Sequence, residues 1–146
     1  MELKLEVYKQ TLDSFSYLAN TDFSALQSIL DPRLIDGLEN GLIQKFEIIT
    51  EQSWKLAKTF LYQQDGVDSK TPKQSIKNFF NAGYLEEESY LLWMQALEDR
   101  NVLGHRYDEE AYQNALGRMK RYSVFYLRLF NMVFASAQSP SLEKRG

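Results

Sequence analysis

The sequence predicts an all-α protein, an antiparallel up-and-down four-helix bundle with an additional short helix. Apolar side chains recur every three or four residues in four long stretches, which is the spacing of one helix face. The 146 residues include only seven glycines and three prolines, which leaves room for few turns and favours long helices. No stretch alternates apolar and polar residues as a half-buried strand does. The connections are short, so consecutive long helices should pack antiparallel.

The first half of the chain predicts two long helices separated by a short helical segment. The apolar face of the first helix consists of Leu5, Tyr8, Leu12, Phe15 and Leu18. A shorter helical piece follows between residues 23 and 30. Asp31 and Pro32 mark the start of the longest helix, because aspartate caps free backbone N–H groups and proline fits the first turn. This helix should end at Gly66, since glycine readily takes the left-handed cap conformation.

A short helix is predicted next. Residues 71–74 read Thr-Pro-Lys-Gln, a capping box with proline in the first turn. Gly83 should end this helix in the left-handed conformation, with Tyr84 folded back on Phe79.

Two long helices should complete the chain. Three glutamates at positions 86–88 suit the first turn of the first of them, where the helix dipole favours negative charge. The apolar pattern from residue 111 to residue 133 predicts the last helix as one continuous element. We therefore expect a single domain over residues 1–135 and a disordered polar tail over residues 136–146.

Composition and charge restrict the class of protein and its partners. The formal net charge of −3 argues against a nonspecific nucleic-acid binder, which would normally be basic, although a local patch can still bind RNA. The chain has no cysteine, which excludes thiol catalysis and disulfides. Its N-terminus is charged, unlike a secretory leader, and no apolar run approaches the roughly 20 residues needed to cross a bilayer. We expect a soluble, cytoplasmic protein with no membrane contact and no cofactor.

The segment between the last two predicted helices holds the single histidine of the chain. Its residues have a structural explanation. Arg100 would complement the dipole at a helix C-terminus, Gly104 suits a C-cap, and Asp108 suits the next N-cap. Tyr107 would then pack on Tyr112 as a hydrophobic staple, and this contact would bury it.

The same segment also supports a chemical hypothesis. Histidine side chains exchange protons near neutral pH, and arginine offers a positively charged fork for phosphate. His105 and Arg100 would therefore suffice for metal-independent RNA cleavage, with His105 deprotonating a 2′-hydroxyl and Arg100 stabilising the phosphorus centre. Asn101 adds a hydrogen-bond donor and acceptor beside the arginine. One such set is small, so two sets meeting across a homodimer would make a more complete site.

Residues 100–107 resemble the signature of the HEPN superfamily, which is arginine, a polar residue, three further residues, histidine, any residue and tyrosine. The segment at 41–55 resembles the long-helix motif of one HEPN branch, the nucleotidyltransferase substrate-binding proteins. Residues 75–83 also fit that branch. The resemblance covers roughly residues 5–135, although the helical piece near residues 23–30 does not align clearly.

The resemblance implies a helical homodimer that works with a cognate minimal nucleotidyltransferase. In such two-component pairs the HEPN member is an RNase toxin, and the transferase neutralises it by adding adenylate to the tyrosine of the motif. By position, Arg100 and His105 would be catalytic, with Asn101 beside them, and Tyr107 would accept the adenylate. Some members are described only as substrate-binding subunits. A non-catalytic binding subunit is therefore the second hypothesis, and a purely structural dimer is the third.

Several further residues are weaker candidates. Lys55, Asp99 and Glu47 would contact a substrate or the partner transferase. One histidine without cysteine makes a poor transition-metal site, so no metal is predicted. Aromatic residues that could stack on bases, but whose helical spacing is more typical of a core, are Tyr90, Trp93, Tyr122, Phe125 and Tyr126. Basic residues that could line a phosphate path, but that fit solvated helix faces better, are Lys55, Lys58, Arg118, Arg121 and Arg128.

Overall fold

The computed structural model describes residues 4–138, and every regular element in that range is an α-helix. The predicted all-α class is therefore confirmed. The helices are, in chain order, α1 (Leu5–Ala19), α2 (Phe23–Leu26), α3 (Pro32–Asp65), α4 (Pro72–Asn81), α5 (Glu87–Gly104), α6 (Glu109–Leu116) and α7 (Met119–Gln138). None of these helices is both long and apolar enough to traverse a bilayer.

The four long helices, α1, α3, α5 and α7, form the predicted antiparallel bundle. Tyr8, near the start of α1, stacks on Phe130 late in α7, whereas Asn20, just past the end of α1, donates to Ser123 early in α7. The same reversed order holds for α3 with α5 and for α5 with α7, in the contacts Ser53–Trp93, Glu51–Arg100, Trp93–Phe125 and Asp99–Tyr122. The short helices α2, α4 and α6 lie in the connections between them.

The core is rich in aromatic residues whose polar atoms are all bonded within it. The Tyr8 hydroxyl donates to the backbone oxygen of Tyr126 at 2.9 Å. The Tyr126 hydroxyl lies 2.8 Å from Thr50 Oγ1, and the Trp93 indole donates to Ser53 Oγ at 3.1 Å. Buried polar atoms left without partners would destabilise the fold, so these bonds fix how α1, α3, α5 and α7 align.

Most of the predicted helix ends are confirmed. The Asp31 carboxylate accepts from the backbone N–H of Arg33 at 2.8 Å, and Gly66 ends α3 with φ of 69°. Gly83 follows α4 with φ of 91°, and the Tyr84 ring lies 5.0 Å from the ring of Phe79. Local sequence signals therefore set these helix limits correctly.

The prediction of one continuous last helix is wrong. Within the described range, α6 ends at Leu116, and α7 begins at Met119 after a turn at Gly117 and Arg118. Gly117, a poor helix former, stands at this break, and the Arg118 N–H donates to the Ala115 carbonyl at 3.1 Å within the turn. The Arg118 side chain reaches from the turn to the buried carboxylate of Asp99.

Two cap assignments and the tail also differ from expectation. Gly104 is the last residue of α5 and not a left-handed cap; His105 is the C-cap, with an extended φ of −139°. Glu86 is the N-cap of α5, one residue before its first turn. Helix α7 continues through Gln138, past the predicted domain end at residue 135, and residues 139–146 of the predicted tail lie outside the described residues.

Candidate functional site

The motif residues lie where α5 ends and α6 begins. His105 is the C-cap of α5, and Arg106 and Tyr107 are irregular. Asp108 is the N-cap of α6, as predicted, because its carboxylate accepts from the backbone N–H of Ala111 at 3.1 Å. The side chains of His105, Arg106 and Tyr107 are all exposed. Two helix ends therefore hold a short exposed segment between them.

Arg100 faces α3 at the surface of the bundle. Its Nη1 donates to Glu51 Oε2 at 2.8 Å, and 27% of its side chain is exposed. Glu51 also accepts from the Trp54 indole at 3.0 Å and lies 3.3 Å from Lys55 Nζ. Burial alone would raise the pKa of Glu51, but hydrogen bonds from Trp54, Lys55 and Arg100 outweigh it, so the pKa is lowered. Glu51 is therefore ionised at neutral pH and neutralises part of the arginine charge.

Asp99 lies on the opposite, interior side of α5. Only 1% of its side chain is exposed. Arg118 donates to both carboxylate oxygens, at 2.7 and 2.8 Å, and the Tyr122 hydroxyl and the Gln95 amide donate as well. Asp99 is therefore not available for the substrate or partner contact predicted for it, because its oxygens are buried and already bonded.

His105 and Tyr107 form an exposed aromatic pair. Their ring centroids are 5.9 Å apart, and the ring planes are almost parallel, at 7°. Tyr107 is 91% exposed, and its hydroxyl makes no hydrogen bond within residues 4–138. The predicted staple with Tyr112 is wrong, since Tyr107 points away from the bundle. The tyrosine is thus open to a second protein.

Arg106 occupies the place predicted for Tyr107. Its guanidinium lies 3.8 Å above the Tyr112 ring, and it donates to both oxygens of Glu109 at 2.8 and 2.6 Å. The Tyr112 hydroxyl in turn donates to Glu39 on α3 at 2.9 Å. Burial and the bond to Glu39 raise the pKa of Tyr112 to about 12. Arg106 was not predicted as a site residue, although the sequence places a glutamate three residues after it, within reach for an ion pair.

The remaining candidates on α3 share one helix face. Glu47, Glu51 and Lys55 follow one another at intervals of four residues. Glu47 is half-buried, and Lys55 is exposed. Asn101, on α5, is also exposed. Lys55 and Arg100 are therefore joined through the one carboxylate of Glu51.

The weaker candidates fall into distinct environments. The aromatic candidates lie in or against the core, as their helical spacing predicted. Tyr90 is half-buried and stacks on Phe80 with ring centroids 4.6 Å apart, and the other four are buried. Of the basic residues, Arg118 is an interior ion-pair partner and Arg128 is paired with Glu86 at 3.0 Å. No group of three histidine or acidic side chains in the described part of the chain is arranged to hold a metal ion.

Comparisons with known proteins agree with the helical architecture. A solved crystal structure of a protein from Thermus thermophilus is similar, with a TM-score of 0.73 and 21% sequence identity over 86% of this chain and 98% of that one. At this identity the likeness shows the fold alone. A comparison with curated proteins gave no match.

The family comparison extends over nearly the whole described chain. The family model described as nucleotidyltransferase substrate binding protein like matches residues 3–132. This span includes every helix that contributes to the α5–α6 turn and its supports on α3. The chain belongs to the nucleotidyltransferase substrate binding protein like family, within the HEPN-like branch.

Proposed function

We propose that this protein is the HEPN partner of a minimal nucleotidyltransferase and acts as a metal-independent RNase toxin until the transferase adenylylates Tyr107. The observation that carries the proposal is the exposed His105–Tyr107 pair on the turn that follows Arg100. Family membership supports the association with a nucleotidyltransferase. We further propose that the active form is a homodimer, because two copies of this small constellation would complete one RNA site.

The cleavage step assigns one task to each side chain. The His105 imidazole removes the proton of an RNA 2′-hydroxyl, and the resulting oxygen attacks the adjacent phosphorus. The bond from phosphorus to the 5′-oxygen breaks, which leaves a 2′,3′-cyclic phosphate on one fragment, and the departing 5′-oxygen takes a proton from water to become the 5′-hydroxyl of the other fragment. Arg100 stabilises the charge on the phosphoryl oxygens after exchanging Glu51 for the phosphate, and Glu51 keeps Lys55 as a partner. Asn101 is exposed beside the arginine and can donate to the same RNA backbone.

The adenylate step explains how the toxin is silenced. The Tyr107 phenol oxygen attacks the α-phosphorus of ATP, the bond to pyrophosphate breaks, and the phenol proton passes to a base or to water. The product carries a negative phosphate and a bulky nucleoside two residues from His105. Its phosphate would compete with RNA for Arg100 by forming a charge-assisted pair.

A second candidate function is a substrate-binding subunit that cleaves nothing. One observation favours it: the Arg100 guanidinium is already paired with Glu51 at 2.8 Å, and only 27% of the Arg100 side chain is exposed. In this alternative, Tyr107 is still presented to the transferase, and Lys55 and Glu47 contact that partner from α3.

Incubation of the purified protein with RNA separates the two candidates. We expect wild type to cleave, and His105→Ala and Arg100→Ala to cleave roughly a hundredfold more slowly or less. Arg128→Ala is the matched control, because Arg128 is also a glutamate-paired arginine but lies away from the turn. Equal cleavage by all four proteins would contradict the proposal. No cleavage by any of them, with adenylate still transferred to Tyr107, would support the substrate-binding alternative.

The oligomeric state is tested separately by light scattering at micromolar concentration. We expect twice the chain mass of 17.1 kDa. A monomer under conditions in which the protein cleaves RNA would contradict the shared site.

A further inference from the structure

We infer that Arg106 is a positioning residue, which locks the α5–α6 turn so that His105 and Tyr107 are presented together to solvent. The geometric part of this inference stands on contacts alone. Its consequence for adenylate transfer rests on the proposed function.

The Arg106 side chain is held by two neighbours. Its guanidinium carbon lies 3.8 Å from the centre of the Tyr112 ring, and Glu109 accepts from Nε and Nη2 at 2.8 and 2.6 Å. Tyr112 is itself only 3% exposed and is tied to Glu39 of α3 by its hydroxyl. The turn is thereby anchored to the longest helix of the bundle. A planar guanidinium can stack and form a two-point carboxylate pair at once, which the ammonium group of lysine cannot do.

The backbone transmits this anchor to the neighbouring residues. His105 is extended, with φ of −139° and ψ of 92°. The Arg106 side chain lies over the Tyr112 ring, whereas the Tyr107 side chain is 91% exposed. The Tyr107 N–H donates to the His105 carbonyl at 2.8 Å, which closes a tight turn and brings the two rings to the same side.

The anchor also explains why an exposed segment keeps a defined arrangement. Tyr107 is 91% exposed, and its ring stacks on that of His105 with the two ring centroids 5.9 Å apart. Packing on the bundle therefore does not hold the pair in place. Release of Arg106 would leave the turn free to rotate between two helix ends, and the pair would lose its common orientation.

Nuclear magnetic resonance tests the geometric part without any partner protein. The chain contains one histidine, so after removal of any affinity tag the imidazole gives one Hε1 signal. At a fixed pH, the difference between this signal in wild type and in Tyr107→Leu measures the ring current of the stacked tyrosine. We expect Arg106→Ala and Arg106→Lys to move the signal to its position in Tyr107→Leu, and Glu109→Gln to move it part of the way.

Arg33→Ala is the matched control. Arg33 is exposed and also forms a two-point pair with a carboxylate beside a helix start, through Asp31, but lies far from the turn in sequence. Its signal should equal that of wild type. If Arg106→Ala keeps the wild-type signal, or if Tyr107→Leu does not change it, the inference is wrong. Unchanged far-ultraviolet circular dichroism of Arg106→Ala and Glu109→Gln establishes that the comparison is between folded proteins.

Adenylate transfer by the cognate nucleotidyltransferase tests the consequence. With this protein as the varied substrate, Arg106→Ala should lower kcat about ten- to a hundredfold, because a misoriented acceptor reduces productive complexes. KM should stay within about twofold, because the rest of the docking surface is unchanged. A raised KM with unchanged kcat would instead make Arg106 a docking contact and overturn the positioning role. Failure of wild type to accept adenylate would contradict the proposed function but leave the resonance result standing.

Discussion

Two adjacent residues of α5 each form an acid–arginine pair, and the two pairs differ in how deeply the carboxylate is buried. The Asp99 side chain is 1% exposed and pairs with Arg118 of the α6–α7 turn, whose side chain is 26% exposed. Arg100 is 27% exposed and pairs with Glu51 of α3, whose side chain is 41% exposed. The first pair fastens α5 to α7 through several bonds. The second is a single hydrogen bond between two partly exposed side chains, which we propose that an RNA phosphate replaces.

The difference follows from the cost of separating charges in each place. Removing one partner of a buried pair leaves an uncompensated charge in the interior, which typically destabilises a protein by about 3–5 kcal/mol. Water solvates the partners of an exposed pair when they separate, so such pairs typically contribute about 0–1 kcal/mol. One turn of helix therefore combines a pair that is costly to break with one that is not, which is what the proposed exchange of Glu51 for an RNA phosphate requires.

The largest expected effect comes from breaking the interior pair. Asp99→Asn keeps the shape of the side chain but removes its charge, which leaves Arg118 without an anion and weakens the bond from Tyr122. We expect the free energy of unfolding in urea to fall by about 3 kcal/mol. Glu51→Gln is the matched change on the surface pair and should cost about 1 kcal/mol or less. Similar losses of unfolding free energy in Asp99→Asn and Glu51→Gln would contradict the difference in stability that we expect between the two pairs.

An intermediate effect should appear in binding of nucleic acid. Glu51→Gln frees Arg100 for phosphate, so binding of a single-stranded oligonucleotide without 2′-hydroxyls should tighten, and the slope of log K against log salt should steepen by roughly one phosphate contact. Fluorescence anisotropy at several salt concentrations measures both quantities.

Glu86→Gln is the control for that measurement. It makes the same charge change beside Arg128, another glutamate-paired arginine. If both variants tighten binding equally, the effect is one of net charge alone and Arg100 is not the phosphate ligand.

The smallest expected effect is a pH dependence of the surface pair. The pKa of Glu51 is lowered from its ordinary value of 4.5, so its carboxylate contributes stability that is complete above pH 4.5 and is lost as pH falls through the lower folded value. The difference in unfolding free energy between wild type and Glu51→Gln should therefore be constant near neutral pH and shrink below 4.5. If the difference in unfolding free energy between wild type and Glu51→Gln grew as the pH fell, the lowered pKa of Glu51 would be contradicted.

Helical periodicity and local cap signals were sufficient to predict most of the fold. Residues such as Leu12 and Phe15 recur on one face because that face is buried, and Gly66 and Gly83 act within a few residues of the helix ends they form. The break at Gly117 was not predicted, and neither was the pairing of the adjacent Arg118 with Asp99, 19 residues earlier. Local apolar spacing carries no information about such a contact.

In the candidate site, too, the sequence predicted what depends on neighbouring residues and did not predict what depends on distant contacts. Position in the motif correctly predicted that His105 and Tyr107 would lie at a helix break. The predicted burial of Tyr107 on Tyr112 was wrong, because Arg106 covers the Tyr112 ring and the Tyr112 hydroxyl donates to Glu39, 73 residues earlier in the chain. Competition between two side chains for one ring is decided by tertiary contacts, which spacing does not reveal.

The central claim is that the α5–α6 turn presents Tyr107 as the site at which a nucleotidyltransferase silences this protein. Intact-mass spectrometry after incubation with the cognate transferase, ATP and Mg²⁺ tests it most directly. We predict one adenylate on each wild-type chain, one on Tyr17→Phe, which removes another exposed tyrosine hydroxyl, and none on Tyr107→Phe. An adenylate mass shift that persists unchanged on Tyr107→Phe would contradict the account.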